Sequence, residues 1–142
     1  MGSNADLIIA LSSDAPAIVA SEYPLGTFKG INIDGLDPLK LAALHSLLTA
    51  DDFSDLLEHY QPVAEASASG PWLIKFPDEL ITLLADLAPQ DHASITAQWA
   101  STDQVQGEGW SEQDTEQFFA RIVHFSQTAA YEGKDVFLWI YN

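Results

Sequence analysis

Four histidines, His45, His59, His92 and His124, are the side chains here best suited to moving protons or holding a metal near neutral pH. Each falls on a different expected helix, and no two stand at metal-ligand spacing on one element, so neither a metal nor another cofactor is expected. The chain has no cysteine, which removes a thiolate nucleophile, a sulfur-built zinc site and a disulfide framework. No Gly-rich phosphate loop, GxSxG elbow or HExxH pair occurs, and Gly107, Glu108, Gly109 is too short for a dinucleotide fingerprint. His45 is the one catalytic candidate. It lies four residues after Leu41 and three before Leu48, so it borders an apolar helix face where burial or a carboxylate could poise it as a general base. A histidine in that position more often packs, with its ring nitrogens hydrogen-bonded.

Carboxylates dominate the remaining polar chemistry. Five basic residues stand against 21 acidic ones, a net charge of −16. No base occurs between Lys40 and Lys75, nor between Lys75 and Arg121. Nucleic acids and anionic membranes are bound by clusters of Lys and Arg, so direct binding to either is not expected; a basic protein partner is the natural complement. Solubility alone is the competing explanation of such a charge. Asp51, Asp55 and Glu58 share a helix face that reads as solvated, since the Gly-containing Ca²⁺ loop of an EF-hand is missing. The segment holding Asp103, Glu108, Trp110, Glu112, Asp114 and Glu116 is the partner-binding candidate. A tryptophan rimmed by acids could steer and anchor a basic surface, although a Trp at a helix entrance commonly folds back as a lid.

The elements that must position these residues follow from punctuation and periodicity. Asp6 to Ser12 reads as a strand, and Ser13 to Pro16 starts a helix that buries Ile18 and Val19. Glu22 to Asp34 reads as loop with a short extended piece at Ile31 to Ile33. Asp37 and Pro38 open a helix to about Thr49, with Leu41, Leu44 and Leu48 on its inner face. An acidic helix runs from Asp51 or Asp52 to about Tyr60, Ser67 to Pro71 turns, and Trp72 to Phe76 forms a strand. Pro77 starts the next helix; Pro89 separates it from one spanning roughly Asp91 to Gln104. Ser111 and Asp114 form a capping box before a long helix stopped at Gly133, and Val136 to Tyr141 is apolar on both faces, as an inner strand is. With 142 residues and 47% hydrophobic composition, one domain over 1–142 is expected: an α+β fold with a small sheet of about three or four strands covered by about five or six helices.

Several segments resemble the YfbM-like family of bacterial proteins, whose function is not established: ADLIIALSSDAPAIVAS, LDPLKLAALHSLLTA, GPWLIKFPDELITLLADL and GWSEQDTEQFFARIVHFSQTAAYEGKDVFLWIYN. Leu41 to Leu44 stands where that family carries an aromatic residue before its histidine. The resemblance implies an α+β fold and no reaction. Asp6 and Asp14 interrupt the apolar N-terminal stretch, no base precedes it, and no apolar run reaches the length of a membrane span, so a cytoplasmic location is expected. The functional expectation is a non-catalytic acidic interaction protein, of the kind that inhibits a basic bacterial toxin or enzyme as an immunity protein. The alternative is a small hydrolase or transferase using a His and a carboxylate.

Overall fold

The last strand organises the molecule. A computed structural model describes residues 4–141. In it β5 (Asp135–Tyr141) lies between β1 (Asn4–Ala10) and β4 (Trp72–Lys75), with Leu7 opposite Leu138 and Ile74 opposite the same residue from the other side. β2 (Lys29–Asn32) and β3 (Ala64–Glu65) close the two edges, giving a five-stranded antiparallel sheet in the order β2-β1-β5-β4-β3. Alternation along the strands sends Ala5, Leu7, Ile9, Ile74, Leu138 and Ile140 to one face and Ile8, Ala10, Leu73, Phe137 and Trp139 to the other.

The larger face is covered by helices. These are α2 (Pro38–Thr49), α3 (Phe53–Leu57), α4 (Asp78–Ala85), α5 (His92–Ala100), α6 (Asp103–Gln106) and α7 (Glu112–Glu132), packed into one core through Leu41, Leu44, Leu80, Leu84, Trp99 and Ile122. The smaller face is covered by α1 (Ala15–Ala20), through Ile18 and Val19, and by Leu25 and Phe28. A strand with helical cover above and below must be apolar on both sides, which is why β5 shows no polar alternation. Among the described residues, no helix is long and apolar enough to cross a membrane.

The α+β class is as expected, but the described chain has five strands and seven α-helices instead of three or four and five or six. Two differences account for most of this. Ala64 and Glu65 form a two-residue edge strand against Leu73 and Trp72, too short to leave a periodic signal. The helix expected over Asp91 to Gln104 ends at Ala100, where Ser101 Oγ donates to the Ala97 carbonyl and Thr102 Oγ1 to that of Trp99. Those side chains compete with the helical ladder, and Thr102 turns extended before α6 begins. The capping box of α7 forms as the sequence requires: Asp114 N–H donates to Ser111 Oγ, and Ser111 N–H to Asp114 Oδ2, each at 3.0 Å.

One charge is misplaced by ordinary rules. Asp6 points to the smaller face and is buried, accepting a hydrogen bond from Asn32 Nδ2 at 3.1 Å. Burial raises its pKa above the ordinary 3.8, the charge of Asp34 adds to the rise, and the Asn32 bond offsets part of it. A carboxyl whose folded pKa is raised binds its proton more tightly in the native state, so it favours folding below its ordinary pKa. That contribution is lost as pH rises through the raised value. Asp6→Asn should therefore match the wild type in stability below about pH 3.8 and exceed it at pH 7. Urea unfolding at both pH values checks this; equal stability at pH 7 would show that Asp6 carries no such penalty.

Candidate functional site

The acidic segment after α6 is tied to the start of α2 by a buried lysine. Lys40 has only 2% of its side chain exposed, and its ammonium lies 2.5 Å from Asp37 Oδ2 and 2.8 Å from Glu108 Oε1. Asp37 also caps α2, accepting from Lys40 N–H at 2.9 Å, so one carboxylate serves the helix end and the buried cation together. The Lys40 carbonyl accepts from Trp99 Nε1–H at 2.9 Å, which docks α5. Trp110 lies over the same ammonium at 5.4 Å, within cation–π range.

Trp110 therefore takes the lid role. Its ring stacks on Phe118 with centroids 3.9 Å apart and planes 4° from parallel, and it meets Trp99 edge-on at 5.8 Å. Gly35, at φ +100°, passes close beneath it; a Cβ there would stand 3.3 Å from Trp110 Nε1. Glu108 is committed to Lys40 and Asp114 to the capping box. Of the six residues singled out in this segment, Asp103, Glu112 and Glu116 are exposed and have no basic partner among the described residues.

What is left of Trp110 walls a groove of about 420 Å³ between α5 and the start of α7. Ala93, Ala97 and Ala100 line one side, with Glu112 and Glu116 across from them. The small side chains leave room, and the carboxylates give the groove one sign of charge. Few cations compete for it. Lys29 and Lys134 both pair with Glu132, Lys75 lies 3.7 Å from Asp135 and 4.0 Å from Asp78, and Lys40 is enclosed. Only Arg121 has no acidic partner among the described residues. These pairs occupy five of the 21 acids, and most of the remainder face water on the helical surface.

His45 sits in a different arrangement, at the back of a depression of about 190 Å³ that it shares with His59, Asp51 and Glu79. Its Nε2 lies 2.6 Å from Glu79 Oε1 and its Nδ1 2.9 Å from the Tyr60 hydroxyl. A carboxylate only accepts, so in the neutral ring Nε2–H donates to Glu79 and Tyr60 O–H donates to Nδ1. The order carboxylate, imidazole, hydroxyl matches that of a nucleophile relay. Tyr60 does not suit the nucleophile's place: it is buried, and desolvation, reinforced by the charge of Glu79, pushes its phenol above the ordinary value and keeps it protonated. The triad instead ties α2, the 3-10 turn Glu58–Tyr60 and the first turn of α4 together. His92 packs edge-on against Phe119 and His124 is exposed on α7, both on other elements than the depression. Among the described residues no group of three or more His, Asp or Glu is placed to hold a metal ion.

No family model, no curated protein and no solved structure matches this chain. The functional reading therefore rests on the geometry just described. Sequence reasoning chose His45 and Trp110 but missed their fixed partners Glu79, Tyr60 and Lys40. The Asp37–Lys40 spacing was the available signal, since a residue three after an N-cap lies beside it.

Removing the lysine should be costly. Lys40→Met leaves Asp37 and Glu108 near each other without their cation, with an expected loss of about 3–5 kcal/mol. Adding Glu108→Gln should recover part of it. Urea denaturation followed by tryptophan emission checks both; an unchanged midpoint for Lys40→Met would remove Lys40 from its central role.

Proposed function

We propose that this protein is a non-catalytic acidic interaction protein that binds a basic protein partner, of the kind an immunity protein makes with a basic bacterial toxin or enzyme. The observation that carries this reading is the groove between α5 and α7. There an aromatic edge, a floor of alanines and the carboxylates of Glu112 and Glu116 coincide, with no base lining it. An Arg or Lys side chain from a partner would lay its aliphatic stem on the alanines, meet Trp110 and place its charge between the two acids. The surplus of carboxylates elsewhere on the helices would speed the encounter, and with four of five basic side chains already paired, little cancels that field.

A hydrolase or transferase built on His45 has one supporting observation, the depression that joins it to His59, Asp51 and Glu79. Its size is below that of ordinary ligand pockets, and both His45 nitrogens are engaged. An activity of the purified protein lost in both His45→Gln and His59→Gln would favour it.

Affinity capture from the native host at low salt, followed by rescue of the captured protein's toxicity or inhibition of its activity, tests the leading reading. A basic protein should be retained. The double change Glu112→Gln/Glu116→Gln should weaken it about tenfold at low salt, with the difference shrinking near 0.5 M salt, roughly where screening shortens to a few ångströms. Retention of nothing basic, or retention indifferent to the double change, would overturn the proposal.

A further inference from the structure

Another concavity lies at the β3 side of the sheet. It encloses about 440 Å³ and shares no residue with the acidic groove. Leu39 of α2, Leu57 at the end of α3, Tyr60 in the turn after it, Trp72 and Ile74 of β4 and Ile140 of β5 form its walls. The volume falls within the range of small-molecule sites, and the lining is mostly apolar with two aromatic rings. Leu39 is 48% exposed at the mouth although it is large and apolar.

The walls are held from behind. The Trp72 ring lies against Gly70, where a Cβ would stand 2.8 Å from ring atoms, so only glycine at φ +92° admits this position. Tyr60 is fixed through its hydroxyl to His45 and onward to Glu79. Asp37 is oriented by Lys40, whose backbone N–H donates to Oδ1 and whose ammonium donates to Oδ2, and the carboxylate keeps further acceptor capacity at the cleft it lines. A site whose walls are set before binding loses little freedom on occupation.

Polarity defines what would fit. The polar groups lining the cleft are Asp37 and Gln61, and the Gln61 amide makes no hydrogen bond among the described residues. Glu65 stands directly opposite Trp72 in the β3–β4 ladder, on the same face of the sheet. No Lys or Arg lines the site, and the nearby Lys40 is already enclosed by two acids. An anion would enter without a counter-charge, whereas a cation would meet Asp37, whose cluster with Lys40 and Glu108 holds two formal negative charges against one positive.

We infer that this cleft binds a small molecule with a flat apolar ring and a cationic amine: the ring against Trp72 and Leu39, the amine toward Asp37 and Gln61. The inference is independent of the acidic groove and holds or fails without it.

Benzylamine, benzyl alcohol and phenylacetate form a matched set of probes with one ring and three charges. Titration of the ¹⁵N-labelled protein, followed at the Trp72 indole N–H, should give saturable shifts with benzylamine at a Kd on the order of 1 mM, as suits a fragment of that size. Benzyl alcohol should bind more weakly, and phenylacetate at least roughly tenfold more weakly than the amine. Leu39→Lys changes an exposed residue at the mouth and should reverse the order of amine and acid while leaving the spectrum folded. Trp72→Leu, followed at the Gln61 side-chain amide in place of the lost indole, should abolish binding of all three. Absence of any shift at Trp72, or an order of affinities unchanged by Leu39→Lys, overturns the proposal. Should Trp72→Leu fail to fold, the Leu39→Lys titration decides alone.

Discussion

A single buried ammonium is the constraint around which the helical layer is arranged. Lys40 cannot remain enclosed unless carboxylates meet it, and the two that do are Asp37 beside it and Glu108, 68 residues further along the chain beyond α6. Satisfying that one charge fixes the α2 N-terminus, the loop carrying Trp110 and, through the Lys40 carbonyl, the docking of α5 by Trp99. An ion pair this enclosed adds little net stability compared with apolar residues of the same shape, but it penalises every arrangement that leaves a partner alone. Its effect is to select one packing of these elements.

The same logic explains why an aromatic cluster sits beneath an acidic surface. Trp99, Trp110, Phe118 and Phe119 form a continuous set of ring contacts between α5 and α7. That cluster takes up most of Trp110 and leaves an edge to wall a groove. The exposed first turns of α7 carry Glu112 and Glu116, which the core does not engage. Apolar packing and surplus charge thus meet along one seam between α5 and α7.

A second polar anchor, Glu79–His45–Tyr60, does for α2, the turn after α3 and α4 what Lys40 does for α2, α5 and the Trp110 loop. Each anchor has a concavity on its outer side. The histidine anchor supplies the fixed tyrosine of the sheet-edge cleft, and the lysine anchor orients the aspartate at its mouth. Rigid polar networks buried behind apolar walls are what keep a small cleft open when side chains would otherwise collapse into it.

Local chemistry was legible in the residues themselves. Asp37 before Pro38, Ser111 before Asp114 and unbroken apolarity in Val136 to Tyr141 each have one low-energy local solution, so the long helices, their caps and the inner strand could be read without the fold. So could the α+β class, because it depends only on which periods occur and in what order. The two-residue strand at Ala64 and the helix break at Ser101 were hidden, since one depends on a neighbouring strand and the other on which hydroxyl captures a carbonyl. The meaning of the candidate residues was decided by tertiary structure alone. Whether Glu108 faces a partner or Lys40, and whether His45 is free or held between Glu79 and Tyr60, turns on contacts across 68 and 34 residues of chain. Spacing along a sequence fixes neighbours within a helical turn; it cannot say which distant charge will arrive to compensate a buried one.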